Sequence, residues 1–146
     1  IPLFVFITAA VIAFATGTSW GTMAILMPIA IPLAHQAPTL DPAIGEAHAM
    51  LILLSTTAAV LAGATFGDHC SPISDTTIMS SMASGADHID HVRTQLPYAL
   101  TCGAVASFFG YIPAGYGISP YIMLPIGMVV IFLLVRFVGK PVDDPA

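Results

Sequence analysis

The chain has 146 residues, of which 57% are hydrophobic and only 8% charged, and its mean hydropathy is +0.92. That balance excludes an ordinary soluble globular domain and points to a bilayer as solvent. Eight acids against three bases leave a net charge of -5. Because Arg93, Arg136 and Lys140 all lie outside the apolar runs, no basic surface for nucleic acid is present. Cys70 and Cys102 are far apart and form no C-x-x-C pair, so neither a disulfide framework nor a four-cysteine zinc site is expected. Ile1 opens directly into an apolar run without a basic n-region or cleavage site, and the sequence reads as a fragment with no signal peptide.

A hydrocarbon core of about 30 Å needs about 20 apolar helical residues, and four regions approach that length. Residues 1–34 are apolar except at Gly17-Thr18-Ser19-Trp20-Gly21-Thr22, where two glycines flank small hydroxyl residues. They form either one broken span or a re-entrant hairpin with a polar tip. Residues 35–48 contain Pro38, Asp41, Pro42, Gly45 and Glu46 but no Lys or Arg, the pattern of an outer loop. Residues 49–86 read as a second broken span, interrupted at Gly67-Asp68-His69-Cys70-Ser71-Pro72-Ile73-Ser74-Asp75. A polar connector follows at 87–97, then spans at 98–114 and 120–138 and a tail at 139–146.

Arg93 precedes the third span, and Arg136 and Lys140 follow the fourth, so both basic groups fall on one side, the cytoplasmic one. Tyr98 at one end of the third span, and Tyr111, Tyr116 and Tyr121 around the turn at the other, match two interfacial aromatic belts. Ala99, Gly103 and Ser107, and likewise Ala59 and Gly63, recur at every fourth position. Close helix packing suffices to explain them.

Chemistry concentrates at the two interruptions, because unpaired backbone within a membrane survives only when buried in protein or lining a polar cavity. Two such breaks in a short chain point to transport. Gly67 suits the end of one half-helix, since it takes positive φ freely, and Pro72 lacks the donor a continuous helix would need. Gly17 and Gly21 serve the same purpose in the first break. Broken helices expose carbonyl oxygens that suit a cation and N–H groups that suit an anion. Asp68, Ser71, Ser74, Asp75, Thr76 and Thr77 supply hard oxygen ligands, fitting sodium better than a transition metal.

A carboxylate within the membrane is costly unless it pairs, binds an ion or takes a proton. Asp68 sits at the carbonyl end of a half-helix, where no N–H cap stabilises its charge, and is the first candidate for an acid shared by Na+ and H+. Asp75 has two open readings, as a helix N-cap or as a second ion ligand. His69 either relays protons beside Asp68 or only packs a helix. At the first break Thr18, Ser19 and Thr22 offer hydroxyls, and Trp20 either stacks over a substrate or anchors the tip. His35, His48, His88 and His91 read as solvated loop residues, and no metal site is assigned to them.

The run Gly17-Thr18-Ser19-Trp20-Gly21-Thr22 followed by Phe66-Gly67-Asp68-His69-Cys70-Ser71-Pro72-Ile73-Ser74-Asp75-Thr76-Thr77 resembles the NhaC family of sodium/proton antiporters, as does the connector Arg93-Thr94-Gln95-Leu96-Pro97-Tyr98. The resemblance implies an all-α integral membrane fold with discontinuous or re-entrant helices, corresponding to the second half of an inverted-repeat secondary transporter. It implies a multi-pass protein of a prokaryotic cell membrane, with Na+ and H+ as transported ions and no cofactor. The partners it implies are the bilayer, an N-terminal repeat of the same protein, a small organic carboxylate if the chain is a malate/lactate-type exchanger, and an assembly that a homodimer would satisfy. A passive channel, a structural membrane subunit and an enzyme built on Asp68-His69-Cys70 are the readings from other classes.

Overall fold

Apolar runs punctuated by Gly and Pro produce a wholly helical chain. The computed structural model describes residues 1–40 and 44–139, and no strand occurs among them. The elements are α1 (Pro2–Thr16), α2 (Ser19–His35), α3 (Ala37–Leu40), α4 (Glu46–Cys70), α5 (Asp75–Ser84), α6 (His88–Ala106), a π-helical turn (Ser107–Tyr111), α7 (Ile112–Gly115) and α8 (Pro120–Val138). The loop acid Asp41 with Pro42, and Lys140 with the rest of the expected tail, lie outside the described residues.

Three helical stretches are long and apolar enough to cross a membrane: Glu46–Cys70, His88–Gly115 and Pro120–Val138. The chain is thus an all-α membrane protein. Residues 87–97, read as a polar connector, are helical from His88. Asp87 caps α6, accepting from the backbone N–H groups of Ile89 and Asp90, so the helix begins at once and carries the polar residues on its first turns.

α4 is the central element, and α1 and α2 both pack along it. Gly63 lies against the carbonyl of Phe6, Gly67 against that of Ala10, and the Ser71 hydroxyl donates to Phe14 O. Residue numbers rise together in these pairs, so α1 runs parallel to α4. α2 runs the other way: Ala30 clusters with Ala59 and Val60, and Ala34 with Ile52. α1 and α2 therefore form an antiparallel hairpin with its tip at Gly17.

The hairpin carries a distance prediction. One straight broken span would place Phe4 and Ile29, 25 residues apart, about 37 Å from each other at the helical rise. Both side chains are exposed, so spin labels at Phe4→Cys and Ile29→Cys in a background lacking the native cysteines should report less than about 25 Å. A distance near the straight-helix value would remove the hairpin.

α6 returns antiparallel to α4. Gln95 bonds to the His69 carbonyl, the Phe66 ring meets Gly103, and His48 Nε2 lies 3.3 Å from Gly115 O. His48 is consequently half-buried and joins two helix ends. The π-helical turn sets Tyr111 over Phe6, with ring centroids 4.7 Å apart. α8 packs on the π-helical turn and the adjoining end of α6 and buries no residue.

Candidate functional site

The first interruption is only two residues wide. Gly17 ends α1 with φ 68°, and its N–H bonds to Ala13 O at 2.8 Å. A Cβ there would lie 2.8 Å from Ile73 O, so both backbone sign and proximity demand glycine. Thr18 is extended and caps the next helix: its hydroxyl accepts from Gly21 N–H at 3.4 Å, while the Thr22 hydroxyl donates to Thr18 O at 2.8 Å. The helix restarts at Ser19, and Gly21, expected as part of the break, lies inside α2. Trp20 is 81% exposed.

The second interruption is also narrower than the residue types suggest. α4 continues through Gly67, Asp68, His69 and Cys70 and stops at Ser71, so the break is Ser71 to Ser74 with Pro72 inside it. Gly67 does not end the helix. It clears space for α1, because a Cβ at Gly67 would overlap the Ala10 backbone, including its carbonyl carbon at 2.8 Å. α4 is long and apolar enough to cross a membrane by length and composition, and the break comes at its C-terminal end.

Hydroxyls then tie the two breaks together. Ser71 donates to Phe14 O at 2.8 Å, satisfying a carbonyl at the end of α1, and accepts from Ile73 N–H at 3.3 Å. Ser74 precedes α5 and pairs with the Thr76 hydroxyl at 2.8 Å. The Asp75 carboxylate accepts from Thr76 N–H at 2.8 Å on an exposed helix start. The residue in the N-cap position is Ser74, which makes no side-chain cap bond, and Asp75 is the first residue of α5.

Asp68 stands apart from these satisfied groups. It is 8% exposed, on the last turn of α4, and its Oδ1 is buried without a hydrogen-bond partner. The antiparallel register of α2 brings buried Thr22 toward the same end of α4. A buried carboxylate oxygen with no donor is expensive, and here it sits one turn from the junction of both breaks. His69 does not join it: the side chain is exposed and lines a shallow depression with Leu61, Ala62, Thr65 and Phe66.

One cluster was missed by sequence reasoning. His88 and His91, read as solvated loop residues, are half-buried on the first turns of α6. Both Nδ1 atoms approach the buried Ser81 hydroxyl, at 3.2 and 2.8 Å, and His88 Nε2 reaches Pro72 O at 2.6 Å. The usable signal was Asp87 as an N-cap, because a helix starting there puts residues three apart on one face.

The sequence profile described as the Na+/H+ antiporter family matches residues 1–116. The chain belongs to the Na+/H+ antiporter family. Membership points to a transporter and not to an enzyme. Over 139 residues the chain is 44% identical to an uncharacterized protein of Haemophilus influenzae, covering 93% of this chain and 24% of that one. An uncharacterized Na+/H+ antiporter of the same organism is 33% identical over 117 residues, 75% of this chain and 22% of its own length. The malate-2H+/Na+-lactate antiporter of Bacillus subtilis is 38% identical over 90 residues, 62% of this chain and 17% of its own length. The chain thus spans a quarter or less of the curated relatives it matches. No solved structure matches it at a significant level.

Proposed function

We propose that this antiporter chain carries an ion site at which Na+ and H+ compete for Asp68. The observation that carries the reading is the buried Oδ1 of Asp68, which has no protein donor. A sodium ion or a proton would each neutralise the carboxylate, and a neutral site crosses a low-dielectric barrier far more easily than an anionic one. Both loaded forms can therefore alternate between the two sides while the empty charged form does not. Sodium wins at high pH, the proton at low pH, and exchange follows.

The surrounding hydroxyls support a hard cation. Ser71 and Thr22 give their own protons to Phe14 O and Thr18 O, which leaves oxygen lone pairs to accept. Thr18, Ser19, Ser74 and Thr76 complete the oxygen-rich rim of the two breaks, and Asp75 adds a second carboxylate at its exposed edge. The arrangement of two helix interruptions meeting tip to break is that of a transporter site. On this reading the hairpin is re-entrant, the Arg93 end of α6 is cytoplasmic, and a further repeat of the same protein closes the site in a prokaryotic cell membrane.

A second reading, sodium-coupled exchange of small organic carboxylates, draws on the printed function of the Bacillus subtilis relative. The helix starts that would hold a carboxylate are those of α2, near Thr22, and of α5, near Asp75; at α2 Gly21 N–H is already given to Thr18, and at α5 Thr76 N–H to Asp75. Sodium/proton exchange is the better supported of the two. The test reconstitutes the full-length protein in proteoliposomes and follows internal pH after a sodium gradient, with and without malate or lactate. A sodium-driven pH change without organic solute is expected; a change that requires the carboxylate would replace the first reading with the second.

A further inference from the structure

The Ser81, His88 and His91 cluster is unused by the proposed ion site, yet it touches the break at Pro72. Partner chemistry fixes most of its protons. Pro72 O can only accept, so the 2.6 Å contact requires His88 Nε2 to carry hydrogen. The Gln95 side-chain NH2 donates to the His69 carbonyl, which turns its Oε1 toward His91. The 2.9 Å contact of His91 Nε2 with that Oε1 then requires hydrogen on His91 Nε2 as well.

With both Nε2 atoms protonated, two neutral rings present bare Nδ1 lone pairs to one hydroxyl, at 3.2 and 2.8 Å. Ser81 has a single proton, and Thr77 O competes for it at 2.9 Å. The neutral cluster can satisfy only one of its three contacts. Adding one proton lets one Nδ1–H donate to Ser81 Oγ while the Ser81 hydroxyl donates onward to the other ring or to Thr77 O. A second proton would complete the third contact but set two cations against one oxygen.

We infer that Ser81, His88 and His91 form a proton-binding site distinct from Asp68, which takes up one proton shared between the two imidazoles. Bound at His88, that proton makes the donor to Pro72 O charge-assisted and tightens the clasp between α6 and the break. Uptake of that proton thus couples the hold of α6 on the break to the protonation of the pair. The titratable and charged groups on the surrounding elements near the cluster are Asp87 at the cap of α6, Asp90, Arg93 and Tyr98 on α6, Asp75 on α5, and Asp68, His69 and Cys70 at the end of α4. Asp87 is committed to capping α6, and Asp87 and Asp90 line a shallow depression with His91. α8 packs on the far half of α6.

The site is independent of the antiport reading, because its readout is ring protonation and not flux. Full-length protein with 15N-labelled histidine is titrated in lipid nanodiscs by NMR, with His88→Gln and His91→Gln used to assign the two rings. In the wild type the resonances of both rings should move together in a first step worth one proton, with a separate second step at lower pH. In Ser81→Ala the shared first step should disappear and the rings titrate independently. Independent titration in the wild type, or an unchanged shared step in Ser81→Ala, would overturn the inference. If Ser81→Ala fails to fold, Ser81→Cys, a weaker acceptor in nearly the same volume, must narrow the separation of the two steps, and an unaltered separation would also overturn it.

Discussion

Asp68→Asn should abolish sodium-driven proton movement and leave the protein inserted and folded. The variant keeps the side-chain volume but cannot carry the charge that Na+ and H+ both neutralise. With no carboxylate left for Na+ and H+ to share, sodium-driven exchange should fall to background. Folding should survive because Asp68 Oδ1 makes no hydrogen bond within the described structure, and the amide therefore breaks none at that atom. Asp68→Glu retains the charge with one extra methylene and should keep part of the activity. Internal pH after a sodium gradient reads both variants, and circular dichroism with size-exclusion chromatography reads their folding. Full coupling in Asp68→Asn would take the shared site away from this residue.

Gly67→Leu should separate α1 from α4. At Gly67 the obstruction is Ala10 backbone, which cannot rotate away, whereas at Gly103 it is the far edge of the Phe66 ring. Overpacking against fixed backbone costs about 1–3 kcal/mol for small insertions, and a full Leu side chain exceeds what Ala would add. Gly67→Ala is thus expected to lower the thermal midpoint and Gly67→Leu to lower it further, with Gly103→Ala close to wild type. The effect should reach the site, since the same α1–α4 contact holds Gly17 against Ile73 and Ser71 against Phe14. Loss of the Phe4–Ile29 spin-label distance in Gly67→Leu would show that the hairpin has come away. A Gly67→Leu protein as stable as wild type would contradict the close approach.

The two interruptions were legible as composition, because glycine, proline and hydroxyl residues seldom crowd into apolar runs without a structural reason. Their widths were not. Gly67 and Gly21 each carry two meanings, helix termination and close approach, and only the neighbouring backbone distinguishes them: Ala10 opposite Gly67, and the cap from Thr18 over Gly21. The choice between a straight broken span and a hairpin was likewise closed to the sequence, since both use the same residues in the same order. Packing decides it, through pairs such as Gly63 with Phe6 and Ala34 with Ile52.

Asp68 was legible by elimination. It is the acid at the end of a long apolar run with no helix N–H group to satisfy it, and the structure buries its Oδ1 without a hydrogen-bond partner. Asp75, one residue into α5, has such a group in Thr76 N–H and uses it. The histidine cluster was hidden because a polar stretch following a break reads as loop, and the hydrogen bonds from Ser81 and Pro72 come from residues seven and sixteen positions away. Long-range pairings of this kind leave no periodic trace in composition.

Binding of 22Na+ to purified full-length protein, measured at pH 6.5 and pH 8.5 for wild type and Asp68→Asn, addresses the competition at Asp68 without requiring turnover. Competition at one carboxylate predicts less binding at the lower pH than at the higher, and none above background in Asp68→Asn at either. Wild-type-like binding in Asp68→Asn, with the same pH dependence, would contradict it.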